Sequence, residues 1–243
     1  STDREIIQVI GPSTINKLNI KKIPEKIEKA FIAAEDRRFY SHKGLDFRSI
    51  GRALITNFRK REFHEGASTI TQQLARLVFL NQKKTFTRKL KEAALAIKID
   101  RHLPKKKVLE FYLNNIYLGS NAYGISDAAW IYFSKNPDQL TLDEIALIAG
   151  LAPAPSYYSP LVNSKLAIKR RNIVLERMRN EKFISQNDFI TSKNKPLNLR
   201  PGIPKYLISS APFFSSWVYQ KLPEILTNKQ LKTGGITVIT SLN

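Results

Sequence analysis

"PEKIEKAFIAAEDRRFYSHKG", residues 24–44, reads as a helix that runs into a knot of charges and closes on a glycine. Pro24 stands at a first-turn position and acids come early, as a helix start prefers. Ile27, Phe31 and Ala34 fall on one face of that helix. Glu35, Asp36, Arg37, Arg38, Phe39, Tyr40 and His42 follow within a few positions. Read locally, Glu35 has two readings: a surface acid paired with Arg38, or a catalytic acid held in a cationic setting.

Outward from this stretch, no proline interrupts the chain between Pro24 and Pro104. The span is rich in Ala, Leu, Ile, Lys, Arg and Glu, which predicts helix. Residues 46–60 place Phe47, Ile50, Leu54 and Phe58 at helical spacing, flanked by Arg48, Arg52, Arg59 and Lys60. Such a basic amphipathic stretch suits a membrane surface, or an ordinary helix with its stripe in the core. "EGASTITQQLARLVF" opens at Gly66, with Thr69 and Gln72 spaced for a capping box before a helix to about Leu80. "RKLKEAALAIKIDRH" is another helix, and "KKKVLEFYLNNIYLG" after Pro104 runs to near Gly119. "AYGISDAAWIYF" is a short helix. "TLDEIALIAGL" carries a second capping box at Thr141 and Glu144. A proline-stiffened loop, a basic helix over 163–180 and a shorter helix follow. Residues 195–212 hold four prolines and read as extended, 213–229 as a last helix, and "GGITVITSLN" as a turn and a short strand. The fold class is mainly α.

The chain has 243 residues, 42% of them hydrophobic and 25% charged, enough for one large domain or a domain with a lobe. It has no cysteine, which excludes thiolate chemistry and disulfides. Lys and Arg number 40 against 20 Asp and Glu, a formal charge of +20. Such a surface draws polyanions: nucleic acid, an anionic membrane face or phosphorylated substrates. A thermophilic ion-pair surface needs matching acids, and these are missing. No apolar run is long enough to span a bilayer. The opening "STDREIIQVI" reads as if more chain preceded it.

His42, His64 and His102 are the only histidines, and no two share an i, i+4 spacing. With no HExxH and no cysteine, a protein-built zinc site is not expected. No nucleophile elbow, Walker A loop or GxGxxG is present. The scarce acids are therefore informative. Glu92 lies i+4 from Arg88 and i+3 from Lys89, which fits a helix-face ion pair of about 0.3–0.5 kcal/mol. Surplus cations beside a carboxylate also suit a pyrophosphate. Phe39 and Tyr40 beside Glu35 point to partial burial, which raises a carboxyl's pKa and fits it for proton transfer.

"EDRRFYSHKG", "GASTITQQLAR", "RKLKEAALAIKID", "KKVLEFYLNNIYLG" and "LTLDEIALIAGLAPAPSYYSP", in that order over about residues 30–160, resemble the five motifs of the peptidoglycan glycosyltransferases (glycosyltransferase family 51), the domain joined to class A penicillin-binding proteins. Ala67 departs from a glycine common in the family. The resemblance implies a lysozyme-like helical core, a smaller membrane-facing lobe that includes about residues 45–66, and, over 230–243, the start of a linker to a transpeptidase domain. It implies polymerisation of lipid II into β-1,4 glycan, by an inverting displacement that releases undecaprenyl pyrophosphate. On this resemblance Glu35 is the general base and Glu92 the second catalytic glutamate. Arg88, Lys89, Ser68, Thr69, Gln72, Gln73, Arg61, Asn114 and Tyr117 bind pyrophosphate and sugar, and Asp36, Phe39, His42 and Gly44 shape the site. Arg59 and Lys60 belong with Arg61 to a loop that handles the donor. Arg37 and Arg38 stay open between fold, Asp36 and substrate.

No organic cofactor is implied; a divalent cation, Mg or Mn, could accompany the pyrophosphate near Glu92. The implied partners are lipid II, the growing lipid-linked glycan, an anionic membrane surface and phosphoglycolipid inhibitors of the moenomycin type, with no nucleic acid. The native protein is expected to carry an N-terminal transmembrane helix and to work on the extracytoplasmic face of the cytoplasmic membrane. Two rivals stand beside this reading. A lysozyme-like hydrolase or lytic transglycosylase would use one glutamate as acid but has no need of the surplus cations. A nucleic-acid-binding helical protein would array its basic residues along one recognition helix, whereas here they cluster with acids and aromatics.

Overall fold

The computed structural model describes residues 18, 23–60, 68–80, 85–202, 211–227 and 237–240. Among them are ten α-helices: α1 (Glu25–Glu35), α2 (Phe47–Lys60), α3 (Ile70–Phe79), α4 (Phe86–His102), α5 (Lys105–Asn115), α6 (Gly124–Phe133), α7 (Leu142–Leu151), α8 (Ser164–Asn180), α9 (Gln186–Asn194) and α10 (Pro212–Ile225). The mainly helical fold agrees with the sequence. Of the stretch expected to form a C-terminal strand only residues 237–240 are described; they carry no strand, and no sheet among the described residues offers a ladder for them to join.

Helix α7 is the centre of the core. Ile145, Leu147, Ile148 and Leu151 are buried, each contributing about 1.5–3 kcal/mol. The helix packs most extensively on α8 and next on α1. Its start is the expected capping box, with the Thr141 N–H donating to Glu144 Oε2 at 2.9 Å. A second layer joins α3 to α4 and α5. Arg171 of α8 is 2% exposed. Its guanidinium donates to the Lys195 and Lys193 carbonyls at the end of α9, 2.8 Å each, satisfying acceptors a helix end leaves open.

One helix ends earlier than the sequence suggests. α5 stops at Asn115 instead of near Gly119, because the chain there reverses on itself. Gly119, Ser120 and Asn121 all have positive φ. Leu118 N–H donates to the Ala122 carbonyl and Ala122 N–H to that of Gly119, closing a tight turn.

Apolar residues collect on the surface where α3 ends and α4 begins: Val78, Phe79, Phe86 and Leu90 are all exposed. α2 presents Phe47 and Ile55 in the same way, beside exposed Arg48 and Arg52, and buries Ala53. The stripe expected on α2 is thus not a buried one at Phe47; the side chains of Leu54, Phe58, Arg59 and Lys60 lie outside the described residues. No helix among the described residues is long and apolar enough to cross a membrane.

Candidate active site

Asp36 organises the segment after α1. Its carboxylate is 7% exposed and accepts from His42 Nε2 at 2.9 Å and from the first N–H of α3, that of Ile70, at 3.0 Å. An acid at a helix N-terminus offsets the partial positive charge there. The Lys105 ammonium can only donate, so its 3.5 Å contact with His42 Nδ1 makes that nitrogen the acceptor and leaves the ring proton on Nε2. Lys105 also pairs with Asp100 at 2.8 Å and lies 4.6 Å over the buried Phe39 ring. Lys105 and Asp36 thus hold Phe39 and His42 together beside the start of α3.

The start of α3 is pinned from two sides. Thr69 and Gln72 form the expected capping box, at 3.1 and 3.0 Å. Thr69 Oγ1 in turn donates to the Gly44 carbonyl at 2.6 Å. Gly44 has φ +88°, and a Cβ there would come within 2.6 Å of the Ala96 carbonyl oxygen of α4. Only glycine allows that approach. The side-chain oxygen of Gln72 is thus engaged in the cap, and the residue is 3% exposed.

Glu35 is partly exposed at the end of α1. Gln73 Nε2 donates to its Oε2 at 2.8 Å, and the buried Tyr112 hydroxyl of α5 donates to Gln73 Oε1 at 3.1 Å. Burial pushes the Glu35 carboxyl above the usual range, against the Gln73 hydrogen bond and the charges of Arg170 and Arg177, with Asp36 adding to the rise. Arg177 of α8 also donates to the Ala34 carbonyl at 2.5 Å. Arg38 pairs with Asp46 at 3.0 Å, where Asp46 caps α2, and Arg37 reaches Glu181 at 3.4 Å. The Glu35–Arg38 pair that spacing allows is not what these side chains form.

Glu92 is fully buried. Arg88 Nη1 donates to its Oε2 at 2.9 Å, and Lys89 Nζ hydrogen-bonds its Oε1. Lys89 also donates to Ser68 Oγ at 2.8 Å. The helix-face ion pair read from spacing is present, but it is buried on the acid's side and carries two cations on one carboxylate. Ser68 precedes the Thr69 cap and Gln73 lies in the first turn of α3. That stretch therefore links the cation pair at Glu92 to the carboxyl of Glu35.

Glu92 does not fit a protein-held metal, because both of its oxygens are engaged by cations. Among the described residues no group of three His, Cys, Asp or Glu could hold one. Asn114 gives its amide to the backbone of Leu18, donating to the carbonyl and accepting from the N–H, 2.8 Å each. Tyr117 packs against Tyr123 across the reversed turn, with ring centroids 5.1 Å apart and the planes tilted by 46°. Arg61 lies outside the described residues.

Tyr112, Arg170 and Arg177 escaped the sequence reading. Arg170 and Arg177 are seven apart on a helix read only as basic, and that shared face was the available signal. Tyr112 had none, since its partner lies 39 residues away.

The transglycosylase family model matches residues 3–179. Penicillin-binding protein 1A of Aquifex aeolicus (strain VF5) is 46% identical over 217 residues, covering 88% of this chain and 30% of that protein. Penicillin-binding protein 1A of Escherichia coli (strain K12) is 45% identical over 222 residues, covering 91% and 26%. The chain thus spans under a third of the length of these relatives. The crystal structure of penicillin-binding protein 1A from Haemophilus influenzae superposes with TM-score 0.51 at 23% identity, over 90% of this chain and 22% of that one, a likeness of fold. On the family match and these identities together, the chain belongs to the transglycosylase family.

Proposed function

We propose that this domain is a peptidoglycan glycosyltransferase that polymerises lipid II, with Glu35 as general base. The observation that carries the reading is the pairing of two unlike acids across the start of α3. Glu35 is raised by burial and has one oxygen held by Gln73. Glu92 is buried under two cations.

Glu35 takes the proton from the acceptor's 4-hydroxyl as that oxygen attacks the donor's anomeric carbon. A carboxyl held above its ordinary range by burial binds the transferred proton better than an ordinary glutamate. Undecaprenyl pyrophosphate leaves from the opposite face, so one displacement inverts the configuration. Arg88, Lys89 and the Ser68 hydroxyl face the charge that develops on the pyrophosphate. Glu92 fixes both cations before substrate arrives, so little reorganisation accompanies bond breaking. Their +2 against its −1 leaves a net positive site. No step is assigned to a divalent cation.

Exposed Phe47, Ile55, Val78, Phe79, Phe86 and Leu90 beside basic residues support contact with an anionic membrane, where a lipid-linked substrate would be met. A phosphoglycolipid of the moenomycin type would compete for the same cations. Extracytoplasmic placement and a companion transpeptidase domain follow by analogy with the relatives.

The rival is glycan cleavage, since a raised glutamate also serves as general acid. The doubly clamped Glu92 favours synthesis, because cleavage releases no pyrophosphate. Incubation with lipid II separates the two. Growth of polymer is expected; shortening of preformed glycan without polymer from lipid II would reverse the assignment.

A further inference from the structure

We propose that Tyr112 is a positioning residue for the base: its buried hydroxyl sets the direction of a three-residue hydrogen-bond chain that holds Glu35 oriented and ionisable. The inference rests on Glu35 being the base.

Ionised Glu35 can only accept, so the Gln73 atom facing it, 2.8 Å away, is the amide nitrogen. The Gln73 atom facing Tyr112 is then the carbonyl oxygen, and the phenol must donate to it across 3.1 Å. The amide has two orientations, and Tyr112 selects the one that donates to the carboxylate. Tyr112 is 0% exposed, so no solvent competes for its proton. Its ring is fixed edge-on against Phe31 of α1, 6.2 Å between centroids, on the same helix that carries Glu35. Burial pushes the phenol well above its usual range, reinforced by the negative charge of Glu35, so it stays protonated and remains a donor.

The chain also decides which oxygen reacts. Oε2 is held by Gln73, and among the described residues no hydrogen bond is made to Oε1. Oε1 is then the atom that takes the acceptor's proton. Other charged groups act on this carboxyl from every side: Asp36 next in the chain, and Arg170 and Arg177 from α8. Arg76 of α3 acts on the phenol. The arginines favour the anion through space, and among the described residues the Tyr112–Gln73 chain holds it by hydrogen bonds.

The test is the pH–rate profile of lipid II polymerisation for the wild type, Tyr112→Phe, Gln73→Met, the double variant and Glu35→Gln. Removing the hydroxyl leaves Gln73 free to turn, so the anion loses support and the Glu35 pKa rises. Tyr112→Phe should therefore move the acidic limb up by about 0.5–1 pH and lower kcat roughly three- to tenfold, with KM unchanged. The double variant should be no slower than Gln73→Met alone, because Tyr112 acts through Gln73. The position of the limb does not depend on how much enzyme is folded, so modest instability of a variant does not blur it. An unmoved limb, or effects that multiply in the double variant, would overturn the proposal while leaving the base intact. Wild-type turnover in Glu35→Gln would overturn the base itself.

Discussion

Burial holds the Glu35 carboxyl above its usual range, and this bears on stability as well as rate. A carboxyl whose folded pKa is raised is easier to ionise in the unfolded chain. Stability therefore falls as pH rises from the unfolded value through the folded one, and the loss is complete above it. Glu35→Gln removes that loss. At neutral pH the variant is expected to melt no lower than the wild type, and the difference should vanish in acid below the ordinary glutamate range; calorimetry across pH checks this. Asp46 works the other way: against the upward pull of burial, the Ser49 hydrogen bonds and the charge of Arg38 hold its pKa below the usual range. Its contribution is present above the unfolded value and lost as pH falls through the folded one. Glu92→Gln should also fail in polymerisation, because an amide cannot hold both Arg88 and Lys89. An unchanged rate would reduce Glu92 to a structural partner of Arg88 and Lys89 within α4.

At the scale of elements, the start of α3 is the part on which the site depends. Thr69 caps α3 and ties it to Gly44, which presses on α4. Thr69→Ala should cost about 1 kcal/mol for the lost cap. Gly44→Ala, strained at positive φ and blocked by the Ala96 carbonyl, should cost about 1–3 kcal/mol. Chemical denaturation measures both. The caps at Thr69 and Thr141 were legible because capping is local and written within four residues. The helices were legible from periodicity for the same reason. The end of α5 was not, since three successive positive-φ residues carry only one glycine to announce them. The Glu35–Gln73–Tyr112 chain joins residues 38 and 39 positions apart, a proximity that only α1, α3 and α5 packing together creates. Arg37 and Arg38 find Glu181 and Asp46 instead of Glu35, a choice between equally plausible partners that spacing does not rank.

At the scale of the whole molecule, the +20 charge and the apolar patch along α2 and the α3–α4 junction belong to one account. On the proposed function, the charge would draw the domain to an anionic bilayer and these aromatic and aliphatic side chains would enter its interface. Binding to anionic phospholipid vesicles should exceed binding to neutral ones and weaken with salt. Phe47→Glu or Phe86→Glu should weaken it by about tenfold or more, as expected for losing one buried aromatic. Equal binding to both vesicle types would detach the charge from the membrane. Under the proposed function, a substrate whose lipid tail stays in the bilayer would offer its pyrophosphate to the cations of α4 and its sugar hydroxyl to Glu35. The most direct test is polymerisation of lipid II by the wild type and by Glu35→Gln, compared on folded protein at neutral pH. Loss of a general base is expected to cost about 10²–10⁴ in rate. Polymer from the wild type and a loss of that size in the variant is the predicted result; polymer at equal rates from both would contradict the assignment of Glu35.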